Sequence, residues 1–164
     1  MTIIIKTPFA SYFKFMINNY LINLDKLIKN LFKSVNTYDL FAEDLETIYA
    51  FGYYLFTYGK YEMAKEIFTG LTGYSPYTSS YWRALGAVNQ QLKNYVEAIA
   101  AYDMAIANDP SDVICYVYRA ESQFLLGKKE EGLADLTEVL KMKSVDPQFT
   151  PWVDRAKFLL RLNQ

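Results

Sequence analysis

The stretch that decides the fold is Tyr81–Ile106, YWRALGAVNQQLKNYVEAIAAYDMAI. Trp82, Leu85 and Gly86 lie on one face of a first helical segment, and Ala98, Tyr102 and Ala105 share a face of a second. Lys93-Asn94 breaks the pattern between them, and Pro110 closes it. Counting back 34 residues from Gly86, Ala98, Tyr102 and Pro110 reaches Gly52, Ala64, Phe68 and Pro76. Counting forward by the same interval from Gly86, Ala98 and Tyr102 reaches Ala120, Gly132 and Leu136.

A helix-turn-helix period of this length, with its tryptophan, Leu-Gly, alanine, aromatic and proline positions, is the tetratricopeptide (TPR) repeat. No single helix pair buries its apolar faces alone, and about three are needed for a stable stack. The expected fold is therefore all-α, a TPR helical-hairpin solenoid of three tandem repeats. The repeats fall at about 45–78, 79–112 and 113–146, within a region covering 38–146. An N-terminal amphipathic helix over 1–37 and a C-terminal capping helix over 147–164 complete the plan.

The N-terminal helix is read from Phe13, Met16, Ile17, Tyr20, Leu21, Leu24, Leu27, Ile28 and Leu31, which form an apolar stripe at helical spacing. The stripe serves either as a cap on the first repeat or as a contact between two copies of the chain. Thr37 is placed to cap the helix that follows. The first pair should turn at Gly59, the second at Lys93-Asn94 with Asn94 and Glu97 at capping-box spacing, and the third at Gly127. The second pair should begin near Ser79 or Ser80, and the third after Asp109-Pro110-Ser111. Thr150-Pro151 reads as an N-cap followed by a first-turn proline. The last helix then offers Trp152, Val153, Ala156, Leu159 and Leu160 to the stack.

Composition narrows the function. The 164 residues suffice for one domain with a sizeable core, and a net charge of −1 gives no electrostatic case for nucleic acid or an anionic membrane surface. Lys6, Lys14, Asn18, Asn19 and Asn23 interrupt the apolar start, so no signal-peptide core and no bilayer-spanning run is present there, and membrane insertion is not expected. The chain has no histidine and a single cysteine, Cys115, which removes histidine-based triads, zinc sites and thiolate clusters. Gly59-Lys60 and Gly127-Lys128 lack the upstream glycine of a phosphate loop. The acidic groups Glu43-Asp44-Glu46 and Glu130-Glu131 fall at helix starts, where carboxylates are favoured structurally. No catalytic residue, metal or cofactor is expected, and the protein is read as a non-enzyme.

Two sets of repeat positions separate structure from function. Gly52, Gly86 and Ala120, faced by Ala64, Ala98 and Gly132, let paired helices approach closely, while Phe68, Tyr102 and Leu136 fill the wedge beside each crossing. The inner face of each first helix is the expected binding surface, because stacking turns those positions into a groove. It carries Tyr49, Tyr53 and Phe56 from the first pair, Arg83, Ala87 and Gln90 from the second, and Val117, Glu121 and Phe124 from the third. Tyr61, Tyr74 and Tyr95, at turns or junctions, are expected to wall the same groove. Tyrosine supplies stiff contact area with a hydroxyl for a peptide backbone, so the groove suits an apolar peptide segment.

Three stretches are more particular than the repeat: LETIYAFGYYLFTYGKYEMAKEIF, YWRALGAVNQQLKNYVEAIAAYDMAI and YRAESQFLLGKKEEGLADL. Together they resemble the cytosolic TPR chaperones of bacterial type III secretion, the translocator (class II, SycD/LcrH/IpgC-like) family, from roughly Asp39 to Leu162. The resemblance implies a chaperone in the bacterial cytoplasm that clamps a short segment of a hydrophobic translocator before export. It matches Tyr49, Tyr53, Phe56 and Tyr61 to aromatic groove positions of the family's first repeat, and Tyr95 to one at the second repeat's turn. Ile48 stands where the repeat consensus has tryptophan, and Ser144 where it has proline.

Two other readings stay open. Needle-subunit chaperones use similar repeats on a helical ligand, and an aromatic groove is compatible with that mode. A general TPR scaffold or adaptor is the second. Its version with a carboxylate clamp is disfavoured, because the corresponding inner positions are Tyr49, Tyr53, Ala84, Ile114 and Tyr118 rather than Lys and Asn.

Overall fold

The computed structural model describes residues 42–142 and 147–163. Seven α-helices follow one another: α1 (Ala42–Thr57), α2 (Tyr61–Tyr74), α3 (Ser79–Gln91), α4 (Tyr95–Asn108), α5 (Val113–Leu125), α6 (Lys129–Lys141) and α7 (Thr150–Asn163). A short 3-10 turn, Pro147–Phe149, leads into α7. The described residues contain no strand, so the expected all-α architecture of successive helix pairs is what the chain adopts. The N-terminal amphipathic stripe and the Thr37 cap lie outside the described residues. The chain divides into two compact units, one ending at Leu71 and the other beginning at Thr72.

The turns inside the three pairs share one geometry. Gly59, Lys93 and Gly127, each one repeat apart, have φ of 71°, 62° and 75°. The amide after each donates to the carbonyl five residues back: Lys60 to Leu55, Asn94 to Asn89 and Lys128 to Gln123, all at 2.9 Å. The left-handed residue itself donates three residues back, to Phe56, Gln90 and Phe124, all at 3.0 Å. These are the paired bonds of a Schellman cap, which satisfies the carbonyls left over at a helix end. The residue after the cap starts the next helix at once, its carbonyl accepting from Ala64, Ala98 and Gly132. Asn94 therefore works through its backbone, and the capping box read from Asn94 and Glu97 does not form: Asn94 makes no side-chain cap bond.

In the first unit, Ile48, Phe51 and Leu55 of α1 and Ala64, Ile67, Phe68 and Leu71 of α2 are buried. Gly52 is where the two helices meet, since a Cβ there would come within 2.8 Å of both Ile67 and Phe68. In the second unit the same relation holds between Gly86 of α3 and the Tyr102 ring of α4, at 2.5 Å. The third pair departs from the expected pattern. Its close approach is Gly132 of α6 beneath the ring of Phe124 of α5, where an added Cβ would come within 2.5 Å of the ring, so glycine and aromatic have exchanged helices.

Two clusters build the second unit's interior. Ala98, Tyr102, Ala105 and Cys115 form one, with Trp82 and Tyr118 packed on it. Val113, Val117, Ala120, Leu136, Val139 and Ala156 form the other, flanked by Trp152, Val153, Leu159 and Leu160 of α7. Those α7 residues are the ones that face the stack. Asp112, directly after the Asp109-Pro110-Ser111 break, is the N-cap of α5; its carboxylate accepts from the Ile114 amide at 3.1 Å. Asp109 instead closes a local turn by accepting from the amide and hydroxyl of Ser111. Helix α7 begins at Thr150 itself, because the preceding 3-10 turn supplies the entry that an N-cap would otherwise make.

Candidate functional site

The first helix of the first pair is aromatic on two opposite sides, while its third side is buried. One side carries Tyr49, Tyr53 and Phe56, which the helical spacing aligns. The Tyr53 and Phe56 rings are 6.3 Å apart, and Phe56 lies 5.6 Å from Tyr61 at the start of α2. Tyr49 tilts onto Phe68 at 5.7 Å, which ties this ladder to the core. Tyr53 is 56% exposed and the other three are half-buried. The opposite side carries Phe51, Tyr54 and Tyr58, with Tyr54 and Tyr58 at 4.4 Å. The tyrosines read as groove residues in the first repeat are thus brought together on one face of the first unit.

In the second unit the corresponding face is polar and internally bonded. Arg83 pairs with Asp112 at 2.6 Å, so its guanidinium secures the start of α5. Ala87 is half-buried and leaves an open step on α3. A chain of side chains then crosses four helices. The Tyr102 hydroxyl donates to Gln90 at 3.0 Å, Gln90 donates to Glu121 at 3.4 Å, and Arg155 of α7 donates its Nε to Glu121 at 2.5 Å. Burial pushes the Tyr102 hydroxyl well above its ordinary pKa, so it stays a donor across the working pH range. The bond to Glu121 raises the Arg155 guanidinium above its ordinary pKa.

Tyr74 is exposed at the end of α2, and Tyr95 is half-buried at the start of α4. Two third-pair positions differ from expectation. Val117 is fully buried, at 0% exposure, in the cluster that includes Ala156 of α7, and it offers nothing to a ligand. Phe124 is half-buried and its ring settles over Gly132, because glycine there leaves room that Ala64 and Ala98 fill in the other pairs. Glu121 remains on the face. Beside it Tyr118 stacks on Tyr102 at 6.0 Å and meets Trp152 edge-on at 5.0 Å.

One more step of the repeat frame finds residues the sequence reading left out. Arg155 follows Tyr53, Ala87 and Glu121 in one column, and the Glu121–Arg155 bond spans 34 residues. Phe158 follows Phe56, Gln90 and Phe124 in the next. The signal was the period itself, obscured because α7 had been read only as a cap.

Among the described residues no group of three or more His, Cys, Asp or Glu side chains is placed to hold a metal ion. No helix among them is long and apolar enough to cross a membrane. What the arrangement can do is bind: a stiff aromatic ladder in one unit, and a hydrogen-bonded polar face in the other.

Helix pairs at the 34-residue interval, each closed by the same cap, define a protein of the tetratricopeptide type. Its structural relatives include type III secretion translocator chaperones. The chain is similar to the translocator chaperone SycD of Yersinia enterocolitica, with 24% identity and a TM-score of 0.72 over 76% of this chain and 86% of SycD. It is similar to PcrH of Pseudomonas aeruginosa, with 25% identity and a TM-score of 0.73 over 76% of this chain and 95% of PcrH. It is also similar to PcrH in complex with the chaperone binding region of PopB, with 26% identity and a TM-score of 0.71 over 74% of this chain and 98% of that one. No protein-family model matches the sequence, and neither does any curated protein. The resemblance carried by the sequence motifs is borne out at the level of structure.

Proposed function

We propose that the protein is a non-catalytic chaperone of bacterial type III secretion, which holds an apolar segment of a hydrophobic translocator and keeps it soluble in the bacterial cytoplasm before export. The observation that carries this reading is the ladder of Tyr49, Tyr53 and Phe56 along one side of α1, continued by Tyr61 at the start of α2. Aromatic surface of this kind marks a binding site more often than an accident of packing. The likeness to PcrH, whose complex holds the chaperone binding region of PopB, supports the choice of ligand. Covering apolar segments prevents aggregation and premature membrane insertion, and a segment held at several stations can be released stepwise as it is pulled away.

The test is co-expression with candidate translocators and with needle subunits, repeated with Tyr49, Tyr53 and Tyr61 all changed to Ala. A translocator is expected to stay soluble and co-purify with the native chain and to be lost from the variant. Retention by a triple variant that remains helical sinks the aromatic face as the site, and preference for a needle subunit overturns the choice of client. A homodimer through the N-terminal segment is part of the proposal; truncation before Ser34 should then lower the oligomeric state measured in solution, and an unchanged state overturns it.

A further inference from the structure

Among the described residues, the repeat frame continues past the three pairs into the last helix. Helix α7 lies against α5 and α6 through Trp152, Val153, Ala156, Leu159 and Leu160, as a first helix of a further pair would. That packing leaves its inner columns outward. Arg155 is 52% exposed and stands in the column of Tyr53, Ala87 and Glu121. Phe158 is 62% exposed and stands in the column of Phe56, Gln90 and Phe124. An end cap has no need of an exposed phenylalanine on that side.

We propose that α7 carries a fourth binding station, in which Phe158 receives an apolar side chain of the client segment and Arg155 a neighbouring acidic one. The proposal rests on the inner-face reading above and extends it. Glu121 cannot play the acceptor of a basic client residue, since it is largely buried and already takes bonds from Gln90 and Arg155. Arg155 is different. Glu121 engages its Nε, one of five donors on a planar group, and a second carboxylate can be taken by the same guanidinium. The fixed bond to Glu121 also holds the Arg155 side chain in place beforehand, which lowers the ordering cost of binding. The station therefore selects for an apolar residue with an acidic neighbour.

The experiment pans a displayed library of random peptides on the full chain and measures the selected peptides against variants. Apolar peptides with an acidic residue at a constant offset should emerge. Phe158→Ala should weaken them about tenfold in Kd. Arg155→Gln should remove the advantage of the acidic residue without changing that of the apolar one. Circular dichroism should show both variants as helical as the native chain. Unchanged binding to both variants, with loss on Tyr53→Ala, overturns the fourth station and leaves the proposed function standing. Unchanged binding on Tyr53→Ala as well, or no selected peptide, overturns both. A lower mass of the unliganded chain on Phe158→Ala makes this face a contact between copies and overturns the client station.

Discussion

The Tyr102 ring rests on the backbone of Gly86 so closely that a methyl group there would stand 2.5 Å from Cε1. Three ring atoms of a fully buried side chain block that position, and the ring is further held by its hydroxyl bond to Gln90. Gly86→Ala should therefore destabilise the protein by about 1–3 kcal/mol, the usual cost of overpacking. Gly73, in the last turn of α2, has nothing within 4 Å of its missing Cβ. Gly73→Ala should instead stabilise by roughly 0.5 kcal/mol. Urea unfolding midpoints should move in opposite directions for the two.

Lys93 does a glycine's work. Its φ of 62° matches Gly59 and Gly127 at the same cap, but a side chain makes that conformation costly. Lys93→Gly should raise stability by about 1 kcal/mol, whereas Gly127→Ala should lower it by a similar amount. Thermal melts read both. A destabilised Lys93→Gly variant would mean the lysine makes a compensating contact.

Arg119 ties three helices together. It meets Asp135 through two bonds, of 2.8 and 2.6 Å, and Asp103 through a third of 2.6 Å, with Tyr116 beneath at 5.5 Å. Burial works against its charge, but the bonds and charges of Asp135 and Asp103 outweigh it and raise the guanidinium above its ordinary pKa. Asp135→Asn, at a largely buried carboxylate, should cost about 1.5–3 kcal/mol. Removing the exposed Lys141–Glu138 or Lys157–Asp154 pair should cost below about 0.5 kcal/mol. Chemical denaturation of the three variants checks the ordering.

Alkaline pH should destabilise the second unit through two buried groups, Cys115 and Tyr102. Burial raises both the Cys115 thiol and the Tyr102 hydroxyl above their ordinary values of 9.0 and 10.0. Both groups are neutral when protonated, so the unfolded chain loses these protons first. Stability is complete below about pH 9 and falls above it, by up to about 1.4 kcal/mol per pH unit for each group. Cys115→Ala should remove the earlier part of that fall. The native thiol, fully buried beside Asp112, should react with thiol reagents only as fast as the protein opens.

The period made the helix pairs legible, together with their turns at Gly59, Lys93 and Gly127, because a close helix crossing and a left-handed cap leave few residue types free. The pairing of Gly52 with Phe68 and of Gly86 with Tyr102 was readable for the same reason. The fate of Val117 was not. Its column holds Tyr49 and Arg83 in the other pairs, and only the cluster it shares with Ala156 of α7 takes it out of reach. The swap of Phe124 and Gly132 was hidden because both residues look ordinary in their own columns. Polar inner positions were read as ligand contacts, whereas Arg83, Gln90 and Glu121 are bonded within the fold. Pattern reports which face a residue occupies; what its side chain has already bonded depends on neighbours far along the chain.

The exchange between Phe124 and Gly132 has a consequence for how such chains can change. A second helix with alanine at the place of Gly132, as α4 has in Ala98, would put a methyl group 2.5 Å from the Phe124 ring. A helix from one repeat therefore cannot be grafted alone into another, although the two share a frame. The heritable module in this array is the whole hairpin, and recombination that cuts between its helices should be punished while recombination between hairpins is tolerated.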